Sequence, residues 1–271
     1  MLAPLKDSPP QSPRPRVVLL TRDGAYSRIF LRSFLHSAQV DIVGVLYSTA
    51  YLQRKPKPSI ADLFGFIQTV GLAYALYQVY VSWILPIRLR LSRPRWQEMD
   101  VPVIESSDIN CAQVASWLKQ LNPDFLLSFH FNQKIQEPVT KIPKVAAINF
   151  HPSILPNSRG VDPVFFSLQK AGARGSENED VLGGSIHLTS QDIDAGDILA
   201  TQALPVLSAG LIQANKALFQ AGGLLAAEVL NDFPSHFDSR LTQSSLEMQN
   251  TQYYSWKDVG NMGWKSVWKI L

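Results

Sequence analysis

The stretch Ala147-Ile-Asn-Phe-His-Pro-Ser-Ile-Leu-Pro-Asn-Ser-Arg-Gly160 sets a carboxamide and an imidazole two residues apart. Residues so spaced on an extended segment point to the same face. Asn149 and His151 therefore share one side of an expected strand end, after which Pro152 and Pro156 force the chain away from the ladder. An amide can donate a hydrogen bond to developing negative charge, and an imidazole can exchange a proton near neutral pH. Downstream, Ser190-Gln-Asp-Ile-Asp-Ala-Gly-Asp197 reads as a tight acidic loop. Each piece alone has an ordinary reading. A histidine before proline is commonly a loop residue, an asparagine at a strand end a turn former, and Asp-Ala-Gly-Asp a solvated turn. A metal reading would draw on His130, His151 and His187 with Asp192, Asp194 and Asp197. The stronger signal is the conjunction: Asn-x-His-Pro-Ser-x-Leu-Pro-x-x-Arg-Gly, then an acidic loop of the form Asp-x-Asp-x-Gly-Asp.

These residues need a scaffold. Arg16–Thr21 is a short aliphatic run ending before Asp23-Gly24, as a buried parallel strand entering a turn would. Tyr26–Ser37 carries Ile29, Phe30, Phe34 and Leu35 at helical spacing. Val40–Tyr47, Val101–Ile104, Phe125–Phe129 and Val145–Asn149 read as strands, with a helix over Asn110–Gln120. Gly184–Leu188 and Ile198–Leu204 read as strands flanking the acidic loop. Alternating strands and helices imply an α/β fold with a mostly parallel sheet. Ligands of such sheets bind beyond the carboxyl ends of the strands. The loops after Thr21, Phe129 and Asn149 are the places to look.

Bulk properties narrow the classes. The chain of 271 residues is 46% hydrophobic and 17% charged, which is globular rather than disordered composition. A formal net charge of +3 gives no basic signature for nucleic acid. Cys111 is the only cysteine, so neither an intrachain disulfide nor a cysteine-rich metal site can form. It fits a helix and reads as structural. Residues 1–15 read as a flexible proline-rich leader, without the apolar core of a secretory signal. A catalytic domain is expected over 16–232 and a C-terminal extension over 233–271.

The motif pair resembles the formyltransferase family, whose members include glycinamide ribonucleotide transformylase, methionyl-tRNA formyltransferase and the sugar N-formyltransferases. The likeness is dense from Pro123 to Pro205 and looser from Arg16 to Ser48. The resemblance implies a Rossmann-like formyltransferase domain, 10-formyltetrahydrofolate as co-substrate, no metal, and Asn149, His151 and Asp194 as the catalytic set. On that reading Asn149 donates to the developing oxyanion, His151 is general acid for the departing folate nitrogen, and Asp194 orients and charges the imidazole. The resemblance also implies that the pterin lies against Ser128–Ile135 and Leu188–Asp194. Ser128, Phe129, Phe131, Gln133, Ile135, Leu188 and Asp192 then become donor-binding candidates, although His130 and Asn132 depart from the commoner family pattern. Arg22 and Gly24 stand where some members hold a phosphate of the acceptor, and Ser153 and Arg159 are expected on the acceptor side.

One segment breaks the pattern. Leu63–Pro86 contains no charged residue, and Ile87–Arg95 after it is strongly basic. A membrane span, an interfacial helix with arginines near anionic headgroups, and a buried or dimer-forming helix all remain open. The expectation is a helical insertion over about 59–96, outside the catalytic core, meeting a membrane surface or a second copy through residues 63–95, with no direct part in catalysis.

The sequence after Phe233 reads as too short for the β-barrel of methionyl-tRNA formyltransferases and carries no basic patch for tRNA. A small-molecule amine, that of a nucleotide-linked or lipid-linked amino sugar, is the expected acceptor, and the cytoplasm, with or without membrane association, the expected location. Two rivals use the same residues: hydrolysis of 10-formyltetrahydrofolate with water as acceptor, and a catalytically idle binding module.

Overall fold

Arg16–Thr21 forms β1, its last five residues buried. The computed structural model describes residues 14–50, 59–174, 181–205, 210–243 and 252–261; the expected leader lies outside them up to residue 13. Helix α1 (Ala25–Ser37) follows, burying Phe30, Leu31 and Phe34. Strand β2 (Asp41–Ser48) pairs parallel with β1, and β3 (Val103–Ser106) pairs parallel with β2. The expected strand at Val101 begins two residues later, because Pro102 has no N–H to give a ladder. Helix α5 (Ala112–Leu121) leads to β4 (Phe125–Phe129), wholly buried beside β1.

Strand β5 (Ala146–His151) pairs parallel with β4 and runs two residues beyond the expected end, carrying His151 to its last position. Short β6 (Ser158–Gly160) and α6 (Pro163–Arg174) come next. Strands β7 (Val181–Leu188) and β8 (Ile198–Pro205) then extend the sheet antiparallel. The resulting order is β3-β2-β1-β4-β5-β7-β8, a mostly parallel, Rossmann-like sheet of seven strands. Helix α7 (Leu211–Asn231) crosses one face against α1 and buries twelve residues. Phe30 stacks on Phe129 at 4.1 Å between ring centroids, tying α1 to β4.

The C-terminal segment adds α8 (Phe233–Asp238), β9 (Gln252–Tyr254) and α9 (Trp256–Asn261). Strand β9 pairs parallel with β6, and Tyr254 stacks on Phe166 at 3.8 Å. Gly160, at φ 94°, is required here, since a Cβ would fall on the Tyr254 carbonyl.

The uncharged run is not one helix. It opens at Ser59, whose capping box with Asp62 starts α2 (Ile60–Val70). At Gly71, φ 81°, the chain breaks into α3 (Leu72–Val79), bent by 117° from α2. A π-helical turn (Tyr80–Ile84) and α4 (Leu85–Arg88) complete it. The expectation of a helix outside the catalytic core is overturned. Val70, Tyr74, Tyr77, Val81 and Leu85 are buried in the main core alongside Phe30, Phe129 and Phe150. The physical reason is that each turn of the run offers a tyrosine or an aliphatic side chain inward. Nor are all the arginines that follow available for lipid. Arg93 Nε lies 2.8 Å from Asp23 Oδ2 and its guanidinium sits over the Tyr47 ring. Burial alone would raise Asp23, but Arg28 and Arg93 together hold its carboxyl below the ordinary value.

Candidate active site

The carboxyl ends of β1, β4 and β5 bring Arg22, His130 and His151 to one edge of the sheet, where a cavity of about 350 Å³ opens. Asn149 and His151 both line it. Asn149 Oδ1 accepts a hydrogen bond of 2.7 Å from the Ser128 hydroxyl, which turns Nδ2 toward His187 Nε2 at 3.0 Å. His187 Nδ1 meets the Leu188 carbonyl at 2.8 Å and so carries a proton. Its other nitrogen can then accept from Asn149. An amide nitrogen has two hydrogens, and His187 takes only one.

His151 is similarly fixed. Its Nε2 donates to the Ser158 carbonyl at 2.8 Å, and its Nδ1 faces Asp194 Oδ2 at 3.5 Å. Burial lowers its pKa; the Asp194 charge opposes that shift without cancelling it. A proton exchanged with substrate therefore belongs on Nδ1.

Asp194 belongs to the acidic loop and has φ 54°. Oδ2 also accepts from Gly160 N–H at 3.0 Å, and Oδ1 lies 3.7 Å from His187 Nε2. Burial pushes this carboxyl up, but the two imidazoles and the Gly160 N–H pull it well below the carboxylate range. The loop is clamped from outside the motif. Gln243 Nε2 donates to the carbonyls of Gly196 at 2.7 Å and Asp194 at 3.1 Å, while Arg159 donates to Gln243 Oε1 at 2.6 Å. A Cβ at Gly196 would fall on the Leu188 carbonyl, so the turn requires glycine.

The other expected residues divide. Ser128, Phe131, Gln133, Ile135, Asp192 and Arg22 line the cavity. Gln133, however, spends its side chain on Ile109 N–H, Ser48 Oγ and the Ser106 carbonyl, so it braces neighbouring loops. Phe129, Leu188, Gly24, Ser153 and Arg159 are absent from the lining. Phe129 is core, because it faces α1. Leu188 is turned against the core and contributes backbone to the loop. Gly24 caps α1. Ser153 is buried and donates to the Ser158 carbonyl, and Arg159 is taken by Gln243. The metal reading loses His130. The Arg22 guanidinium donates to His130 Nε2 at 3.1 Å, and Ser27 Oγ lies 2.7 Å from Nδ1. Burial, then Arg22, drives that imidazole well below its ordinary value. No group of three potential ligands for a metal ion occurs among the described residues.

Several lining residues were not foreseen. Tyr74, Tyr77, Gln78 and Val81 come from the insertion, and Tyr253 and Trp256 from the C-terminal segment. The Tyr74 hydroxyl meets the Asp162 carboxylate and accepts from Gln78 at 2.8 Å; Tyr77 and Tyr26 hydroxyls lie 3.0 Å apart. The expectation that the insertion stays clear of the site is therefore overturned. The legible signal was the placement of Tyr74, Tyr77 and Gln78 at i, i+3 and i+4 within an uncharged run.

Comparison with known proteins agrees with this geometry. The formyl transferase family pattern matches residues 90–215. A methionyl-tRNA formyltransferase of Finegoldia magna is 31% identical over 156 residues, covering 57% of this chain and 48% of that protein. The bifunctional polymyxin resistance protein ArnA of Wigglesworthia glossinidia is 30% identical over 106 residues, covering 39% of this chain and 15% of that one. The chain thus spans about half the length, or less, of these curated relatives. In fold it is similar to a 4-N formyltransferase from Francisella tularensis, with TM-score 0.54 and 17% identity over 92% of this chain and 79% of that one. It is also similar to a glycinamide ribonucleotide transformylase from Symbiobacterium toebii, with TM-score 0.52 and 14% identity over 82% and 88% of the two chains. Over residues 90–215 the chain is thus similar to the formyl transferase family, with the Asn149–His151 motif and the sheet that positions it both in place.

Proposed function

We propose that the protein transfers a formyl group from 10-formyltetrahydrofolate to the primary amine of a nucleotide-linked or lipid-linked amino sugar, in the cytoplasm and without metal or nucleic acid. The observation that carries this reading is the convergence of Asn149, His151 and Asp194, with the Asp194 carboxylate 3.5 Å from His151 Nδ1. The second hydrogen of the Asn149 amide stabilises the oxyanion that develops as the amine attacks the formyl carbon; one such donor lowers the barrier by about 3–4 kcal/mol. Asp194 holds the His151 imidazole in orientation and stabilises the imidazolium. His151 Nδ1 takes up the proton that the amine loses as it adds to the formyl carbon, and returns it to the folate nitrogen as the C–N bond to that nitrogen breaks. Phe131 and Ile135 offer apolar walls for a flat heterocycle, and the neighbouring backbone offers polar edges.

The acceptor side supports a hydroxylated amine. Arg22, Asp162, Gln78 and four tyrosines line the cavity together, a mixture of aromatic faces and hydrogen-bonding groups suited to a sugar. The test is incubation with 10-formyltetrahydrofolate and a panel of amino-sugar nucleotides. A product heavier by one formyl group supports the proposal. Formate release that proceeds equally without amine would favour the hydrolase. Failure to bind the folate would favour an idle member.

A further inference from the structure

Helix α3 and the turn after it have two faces of opposite chemistry. Tyr74, Tyr77, Gln78 and Val81 line the cavity. Leu72, Leu76, Val79, Trp83 and Ile87 recur at helical spacing on the other side, each at least half exposed, with Trp83 at 64%. Ile60, Leu63 and Phe64 of α2 are exposed as well. Scattered exposed apolar side chains need no explanation, but a concentration does. Nine of the sixteen large exposed hydrophobic residues among those described fall between Ile60 and Ile87.

Charge says what covers this surface. No acidic residue occurs between Asp62 and Glu98, whereas Arg88 and Arg90 are exposed at the end of the segment; Arg95, also exposed, pairs with Glu98 at 2.9 Å. An isologous dimer would bring the same basic stretch of both copies onto one interface. An anionic lipid surface instead takes the apolar residues between its acyl chains, the tryptophan at its interface and the arginines at its headgroups. No single helix among the described residues is long and apolar enough to cross a membrane; the bent pair is by length and composition, but its inner face is packed into the main core, which leaves its outer face for lipid.

We propose that the outer face of residues 60–90 seats the protein on an anionic bilayer, and that the acceptor is a lipid-linked amine. The second part rests on the formyl-transfer reading. A helix is about 10 Å across, so the cavity wall formed by Tyr74 and Tyr77 stands one helix diameter from the headgroups. A sugar amine on a lipid anchor can cover that distance without leaving the membrane.

The experiment is flotation of the full chain with vesicles of phosphatidylcholine alone or mixed with phosphatidylglycerol. The chain should float with the anionic vesicles and be released by rising salt. Leu76→Ser with Trp83→Ser should abolish flotation while leaving the melting temperature unchanged. Arg88→Ala with Arg90→Ala should weaken partitioning by about thirtyfold, from the typical contribution of two basic residues near such a surface. A chain that ignores both vesicles, or one that dimerises through Leu76 and Trp83 without binding lipid, overturns the docking surface. Radiolabelled 10-formyltetrahydrofolate with membranes of the host then tests the acceptor, and label should become extractable into organic solvent. Label confined to water-soluble amines overturns the lipid-linked acceptor. Absence of transfer to any amine, with vesicle binding intact, overturns the formyl-transfer reading and leaves the docking surface standing.

Discussion

The Asp194 carboxylate stands 3.5 Å from His151 Nδ1, although the two residues are separated by two strands, a helix and a loop. Both side chains are nearly buried, at 5% and 10% exposure, so their interaction is poorly screened by water. If this pair and Asn149 act together, replacing any one removes a step the others cannot supply. Asn149→Ala and His151→Ala should each lower kcat by about 10²–10⁴, and Asp194→Ala should do likewise. Steady-state rates with circular dichroism check this; near-normal turnover in folded His151→Ala contradicts it.

The clamp on the acidic loop should be separable from the chemistry. Gln243 touches carbonyls of Asp194 and Gly196 and receives Arg159, and it is absent from the cavity lining. Gln243→Ala should leave those buried carbonyls unsatisfied and cost about 1–3 kcal/mol of stability. It should also lower kcat and raise KM for the folate together, because the loop it steadies carries Asp194 and lines the expected pterin site. Unchanged amide exchange around Asp194 in the variant would show that the loop holds without it.

Acid sensitivity should trace in part to a cavity-lining histidine outside the catalytic set. Burial and Arg22 push His130 well below its ordinary value. The unfolded chain then binds more protons than the folded one, so this site stabilises fully above about pH 6.5 and loses that contribution as pH falls toward the folded value. His151 has the same sign. Asp194, depressed rather than raised, loses its contribution only below the ordinary carboxylate value. Urea melts at descending pH should show stability dropping below about 6.5, with a shallower slope in His130→Asn. Equal slopes in the two proteins would count against this assignment.

The insertion should be coupled to the site through Tyr74. Burial raises the Asp162 pKa, and the Tyr74 hydroxyl restrains that rise. Tyr74→Phe should therefore move the Asp162 carboxyl higher in an NMR titration and destabilise the fold by about 1–3 kcal/mol. An unmoved Asp162 titration would mean that the contact does not govern its ionisation.

The sequence by itself determined the strands and the motif. Aliphatic runs such as Arg16–Thr21 and Phe125–Phe129 have few other ways to bury themselves, and the two-residue spacing of Asn149 and His151 fixes a common face wherever the strand lies. The family resemblance selected Asp194 from three nearby aspartates. The spacing of Tyr74, Tyr77 and Gln78 marked one face of the insertion, but only the tertiary structure decided what that face packs against and where the run bends, at Gly71. The clamp by Gln243 and Arg159, and the contributions of Tyr253 and Trp256, were equally illegible. They depend on β6 and β9 pairing across most of a hundred residues, and local patterns carry no record of such distant pairings.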